Sequence, residues 1–237
     1  IRDSLDSLHR NTIIFGQGHS GALKLGLSGA VPSSAVQALI LKFSQSHTDI
    51  QLSAAIHERR ILARDLDQGR LDAIIVAGHL SPAGMAYHAL GSGRLFAVML
   101  RDSPLGARMP IYWPDLRDLA LLLPDGESGN DLLSQISGRL TPAQSHPTAD
   151  RLAIVRRPLG LNGLYQLIDA QSFAIVQESE LGQLPSRLVA IPVHEPYGRA
   201  RIDFGLCWRE ASDNPALAHL LQIVMAQASP TYHCDAW

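Results

Sequence analysis

Between Leu23 and Gly78 the chain alternates between strand-like and helix-like runs, and each apolar run hands over directly to a helix start. The run Leu23-Lys24-Leu25-Gly26-Leu27 breaks at Ser28-Gly29 and enters a helix near Pro32. There Val36, Leu39, Ile40 and Phe43 share one face, and the serine and proline suit a first turn. Ile50 to Ile56 breaks at His57-Glu58 and enters a second helix over about Glu58 to Gln68, which buries Leu62 and Leu66 and stops at Gly69. Asp72 opens a third apolar run. Parallel strands need a helical crossover to bring the chain back to the same end, so this order predicts a mostly parallel sheet with right-handed connections. The C-terminal ends of such strands lie together beside helix N-termini, the edge at which open α/β sheets hold small molecules.

A length of 237 residues allows one large domain or two small lobes, and 46% apolar against 18% charged residues allows a full core. A net charge of −2 leaves no basic footprint for nucleic acid. Cys207 and Cys234 are too few for a disulfide framework and lack metal-ligand spacing, so a reduced, cytoplasmic setting is expected. No apolar run is long enough to span a membrane, and no basic-then-apolar leader precedes Gly16. The chain opens at Ile1 instead of Met, which predicts a fragment or a processed chain.

Further strands are predicted at Leu95–Leu100, Leu119–Leu123, Leu152–Val155, Phe173–Val176, Leu188–Val193 and Ile202–Trp208. Helices are predicted at Gly129–Leu140, Gly160–Asp169 and Pro215–Gln227. The proline-rich segment Arg101–Arg117 and the loop His194–Arg201 break the texture and read as two connections between lobes. The predicted architecture is a two-lobed α/β clamshell, each lobe a mixed, mostly parallel sheet flanked by helices, the two joined by a pair of crossing strands.

The succession Leu25-Gly26, Phe43, Ile50-Gln51-Leu52, Leu66, Gly69-Arg70-Leu71-Asp72-Ala73-Ile74 resembles the regulatory domain of LysR-type transcriptional regulators. The likeness continues through Arg94–Val98, Asp115-Leu116 and Phe204–Arg209, and covers about Ala22 to Ala228. Gly69-x-Leu71-Asp72 is its most specific piece. Two positions depart from the family: Gln37 stands where a proline is usual, and Gln171-Ser172-Phe173 where Gly-x-Gly is common. The resemblance implies a type II periplasmic-binding-protein-like fold and a small-molecule effector held in the cleft between the lobes. It further implies self-association as a dimer or tetramer, and promoter DNA bound through an N-terminal winged helix-turn-helix absent from this chain. Residues 1–20 would be the end of the linker helix and a loop, 21–100 with 201–228 the first lobe, 101–200 the second, and 229–237 a tail. No membrane contact and no cofactor are expected.

The loop Ser28-Gly29-Ala30-Val31, with Ser33 and Ser34, stands before a helix whose free N–H groups suit an anion; ordinary serine capping accounts for the same residues. The resemblance places family effector contacts in this loop, nearest at Ala30 and Val31, and aligns a further contact with Arg59. A guanidinium there would hold a carboxylate through paired donors, or else pair along its own helix with Asp65 or Asp67. In the second lobe Asp125, Ser128 and Asn130 sit in a strand-to-helix turn, as effector contacts or as a turn with its cap. Arg156-Arg157 reads as surface charge or as part of the cleft.

Gly16-Gln17-Gly18-His19-Ser20-Gly21 matches GxGxxG, but a strand follows it where the dinucleotide fingerprint needs a helix, so it reads as a linker. The ten histidines are scattered without ligand spacing, and no metal is expected. Cys207 lies in an apolar strand and reads as a packed hydrophobe. Peroxide-sensing members of the family need a reactive cysteine pair in the second lobe, and neither cysteine lies there. No G-x-S-x-G elbow is present, and no acid, base and nucleophile set converges, so no catalysis is expected. An effector-sensing regulatory domain is the expectation, with a solute-binding protein of the same fold as the alternative.

Overall fold

The computed structural model describes residues 21–78, 83–140 and 153–226. The segments expected as linker helix and loop (1–20) and as tail (229–237) lie outside these, apart from the GxGxxG segment's last residue, Gly21, which opens a strand. The chain divides into two compact units, one within 1–91 and 204–237 and the other over Ser92–Asp203.

The first unit contains β1 (Gly21–Leu27), α1 (Ser33–Ser46), β2 (Ile50–Ile56), α2 (Arg59–Asp67) and β3 (Ala73–Ala77). It also holds the first part of β4 (Met85–Leu100) and, after the return, most of β11 (Arg201–Arg209) followed by α5 (Pro215–Ala226). β1 pairs in parallel with β2, Gly21 opposite Ile50 through Leu27 opposite Ile56, and with β3, Leu25 opposite Ala73. β11 adds antiparallel to β3, Phe204 opposite Ala77, and β4 follows it in the sheet order. The parallel pairing of β1, β2 and β3 is what the strand-helix alternation predicts.

Side chains alternate across a strand, so this sheet has two distinct faces. Leu62 and Leu66 of α2 pack on Ile74, Val76 and Cys207, with Leu71, Met85 and Tyr87 at the margin. Gly26 faces the same helix: a Cβ there would stand 2.4 Å from Leu62 Cδ2 and 2.7 Å from Leu71 Cδ1. On the other face α5 packs against β1 and α1. α2 ends as predicted at Gly69, whose φ of 69° is left-handed. Gly69 N–H donates to Leu66 O (3.1 Å) and Arg70 N–H to Asp65 O (2.8 Å), the paired bonds of a Schellman stop.

The second unit takes the rest of β4, then β5 (Ile111–Tyr112), β6 (Ala120–Pro124), α3 (Glu127–Leu140), β7 (Ile154–Arg157), α4 (Leu161–Leu167), β8 (Ser172–Gln177), β9 (Leu188–Glu195) and β10 (Gly198–Arg199). β6 pairs in parallel with β7 and β8, whereas β4 runs antiparallel to β8 and β9. Leu164, Tyr165 and Ile168 close a core over Val98, Leu122, Ala174, Val176 and Leu188. At the Gln171-Ser172 departure the Ser172 hydroxyl donates to Asp169 Oδ1 (2.6 Å) and accepts from Asp169 N–H (2.9 Å). That hydroxyl and the Gln171 N–H hold the Asp169 carboxyl below its ordinary range. Here a side chain closes the turn into β8.

Three expectations change. The segment Arg101–Arg117, read as a connection between lobes, lies wholly inside the second unit; the chain crosses earlier, at Gly91–Ser92, in the middle of β4. β4 starts at Met85 and not near Leu95, because Met85–Arg94 is half-buried on both faces and carries Gly91 and Gly93, which erases the alternation a strand usually shows. His194–Arg201 is a hairpin: Gly198 and Arg199 pair back on Glu195 and His194, and the return crossing falls at Asp203–Phe204.

Candidate functional site

In the first unit the candidate residues gather at the C-terminal ends of β1, β2 and β3. Ser28 turns out of β1 while its N–H stays on Ile75 O (2.9 Å), and Val31 N–H closes the turn on Ser28 O (3.2 Å). Pro32 then stands at the N-cap of α1, which has no side-chain cap. The first-turn N–H groups of a helix have no partner within it, so this end of α1 carries partial positive charge. His57 N–H reaches Leu27 O (3.1 Å) and draws the end of β2 to the same edge, where α2 begins.

Two of the candidates meet on one residue of β3. Ala77 N–H donates to Ser28 Oγ (3.3 Å), and Arg59 Nη1 donates to Ala77 O. The Arg59 guanidinium is therefore oriented over the end of β3. Asp65, one of the helical partners considered for it, takes Arg64 Nε (3.1 Å) and Arg70 Nη2. The Arg70 hydrogen bond, ahead of Arg64, holds the Asp65 carboxyl below the usual range.

Ser28, Ala30 and Val31 are 3%, 5% and 6% exposed, so the loop is packed. Gly29 is half-buried and Ser34 exposed, and Ser33 opens α1 with its side chain outside the described part. The Ser28 hydroxyl stitches β1 to β3.

In the second unit Asp125 N–H donates to Arg157 O (2.7 Å), joining the ends of β6 and β7. Gly126 turns with φ 90°, and α3 starts at Glu127, two residues before the predicted Gly129. Ser128 and Asn130 thus lie in the first helical turn, exposed like Asp125. Gly129 is buried against β6: a Cβ would stand 2.0 Å from Pro124 O. Arg156 is half-buried and Arg157 exposed. Sequence reasoning missed Gln177, which ends β8 at the same edge and is 2% exposed. Its amide lies over Gly93, where a Cβ would stand 2.1 Å from Oε1. A glutamine closing an apolar strand was the available signal.

Cys207 is fully buried in β11, and burial pushes its thiol up to about 11 against the pull of nearby Arg59. At about pH 8 roughly one such thiol in a thousand is ionised. In a Cys234→Ser variant, a thiol-specific disulfide reagent is expected to leave the folded protein unlabelled and to label it once after unfolding in guanidinium. Rapid labelling of the folded form would contradict the packing. Among the described residues no group of three His, Cys, Asp or Glu is placed to hold a metal ion, and no helix is long and apolar enough to cross a membrane.

Two α/β units joined by a pair of crossing strands, with strand ends opening onto helix N-termini, define a ligand-binding fold of the type II periplasmic-binding-protein class. The chain belongs to the LysR substrate binding domain family, whose model matches residues 16–229. No curated protein matches it. Among solved structures it is similar to the reduced OxyR regulatory domain from Pseudomonas aeruginosa, at 19% identity and a TM-score of 0.69, covering 88% of this chain and 99% of that one. The BenM effector binding domain with its effector benzoate gives 17% identity and a TM-score of 0.67 over 87% of this chain and 91% of that one. Full-length CbnR complexed with its target DNA gives 14% and 0.65 over 94% and 77%. At these identities the likeness carries the fold.

Proposed function

We propose that this chain is the effector-sensing domain of a LysR-type transcriptional regulator and takes a small carboxylate at the strand-end edge of its first unit. The observation that carries the reading is Arg59, at the start of α2, oriented by Ala77 O on the residue whose N–H also meets Ser28 Oγ. A guanidinium has five donors in a planar fork matched to a carboxylate, and two helix N-termini add partial positive charge. Ser28, Gly29, Ala30, Val31 and Ser33 would form the loop over the ligand; Asp125, Ser128 and Asn130 are the candidate effector contacts within the second unit. Anchoring one guanidinium bond on the protein reduces the entropy lost when ligand binds.

The domain acts as a sensor without turnover. Promoter DNA is contacted by residues outside this chain, in a cytoplasmic dimer or tetramer. The effector changes DNA affinity only as far as it binds two arrangements of the protein unequally. BenM with benzoate and CbnR with DNA support this reading by likeness, and the family match favours sensing over solute transport.

A melting-temperature screen with small mono- and dicarboxylates tests it. A ligand at about a hundred times its Kd stabilises by about 2.7 kcal/mol, a rise of roughly 5–10 °C for a domain of this size. Arg59→Gln is expected to remove that rise. If only neutral or cationic compounds raise the melting temperature, or the variant responds as wild type does, the carboxylate assignment fails.

A further inference from the structure

We infer that the first unit carries a two-histidine site for a divalent late transition metal, Ni(II) or Cu(II) in kind, at the junction of α1 and α5. His47 stands at the C-cap of α1 and His219 one turn into α5, and the two helices pack together. The ring centres lie 4.4 Å apart with their planes tilted by 35°. The last turn of α1 sets the His47 ring in place: its N–H donates to Phe43 O (2.9 Å), and the fully buried Phe43 ring lies 5.2 Å from it. Both histidines are half-buried, so an ion in solution can reach them.

The spacing selects the ion. An imidazole nitrogen binds such a metal at about 2.0–2.1 Å, which puts each ring centre about 3.2 Å from it. Two rings at a right angle about the ion then have centres about 4.5 Å apart, against about 5.2 Å at the tetrahedral angle. The observed 4.4 Å fits the right angle, the arrangement of square-planar or octahedral Cu(II) and Ni(II) and not of tetrahedral Zn(II). Two protein nitrogens leave the other positions to water, so the ion exchanges and is no closed structural centre. Bound there, it would tie the end of α1 to α5. The pair is hidden in the sequence because its members come from opposite ends of the first unit's chain. It does not rest on the carboxylate reading, since Arg59 lies on α2, which contributes no residue to it.

The test is isothermal titration of the metal-free protein with nickel chloride. Wild type is expected to take up Ni(II) in a saturable one-to-one step. His47→Gln and His219→Gln each remove one ligand and keep a polar side chain, and each is expected to weaken that step at least about tenfold. Should one of them fail to fold by circular dichroism, the other decides. His194→Gln, in the second unit, and Arg59→Gln are expected to leave the step unchanged. Absence of a saturable step in wild type would reduce the pair to ring stacking and overturn the assignment. So would a step that survives both substitutions, or one lost with His194→Gln.

Discussion

Gly129→Ala is expected to cost about 3 kcal/mol and to lower the melting temperature by roughly 6–12 °C, although it adds one methyl group in a helix. Alanine normally stabilises a helix relative to glycine. Here the added Cβ would meet Pro124 O at 2.0 Å, and a backbone carbonyl in a buried parallel strand has no rotamer by which to move aside. The first turn of α3 must lift from the end of β6, disturbing the bond from Asp125 N–H to Arg157 O as it goes. Gly138→Ala, in the same helix with nothing within 4 Å, is the control and is expected to gain about 0.5–1 kcal/mol. Urea unfolding of the two variants reads the difference. Equal midpoints would mean that α3 does not rest on Pro124.

Leu62→Ala is expected to cost about 3–4 kcal/mol, because the residue is fully buried between α2 and the sheet and leaves a cavity when truncated. The more informative quantity is its coupling to Gly26. Gly26→Ala alone drives a Cβ to 2.4 Å from Leu62 Cδ2 and should cost about 1–3 kcal/mol through overpacking. In the Leu62→Ala background the main obstacle is gone and the extra methyl fills part of the void. The double variant is therefore expected to be more stable than the sum of the singles by at least about 1 kcal/mol. Simple additivity would show that the close approach of α2 to β1 does not depend on this pair.

The element order of the first unit was legible because its signals are local. Breaks at Ser28 and His57, the helical spacing of Leu62 and Leu66 and the glycine stop all act within a few residues, and the strands β1, β2 and β3 follow them closely. The same reasoning lost the first ten residues of β4, where partial burial on both faces leaves no alternation to read. It also misread prolines at Arg101–Arg117 as a boundary, although they mark only an irregular stretch inside one unit. For the candidate site, the positions of strand ends were legible and the partners of their side chains were not.

From sequence alone came the fold class, the family likeness and the residues standing at strand ends, because propensity, periodicity and turn chemistry are written in neighbouring positions. Tertiary structure decided where the chain crosses between units and that Ser28 and Arg59 meet on Ala77. Each depends on strand register and on the distance at which a helix settles over a sheet, quantities set by side chains far apart in the chain.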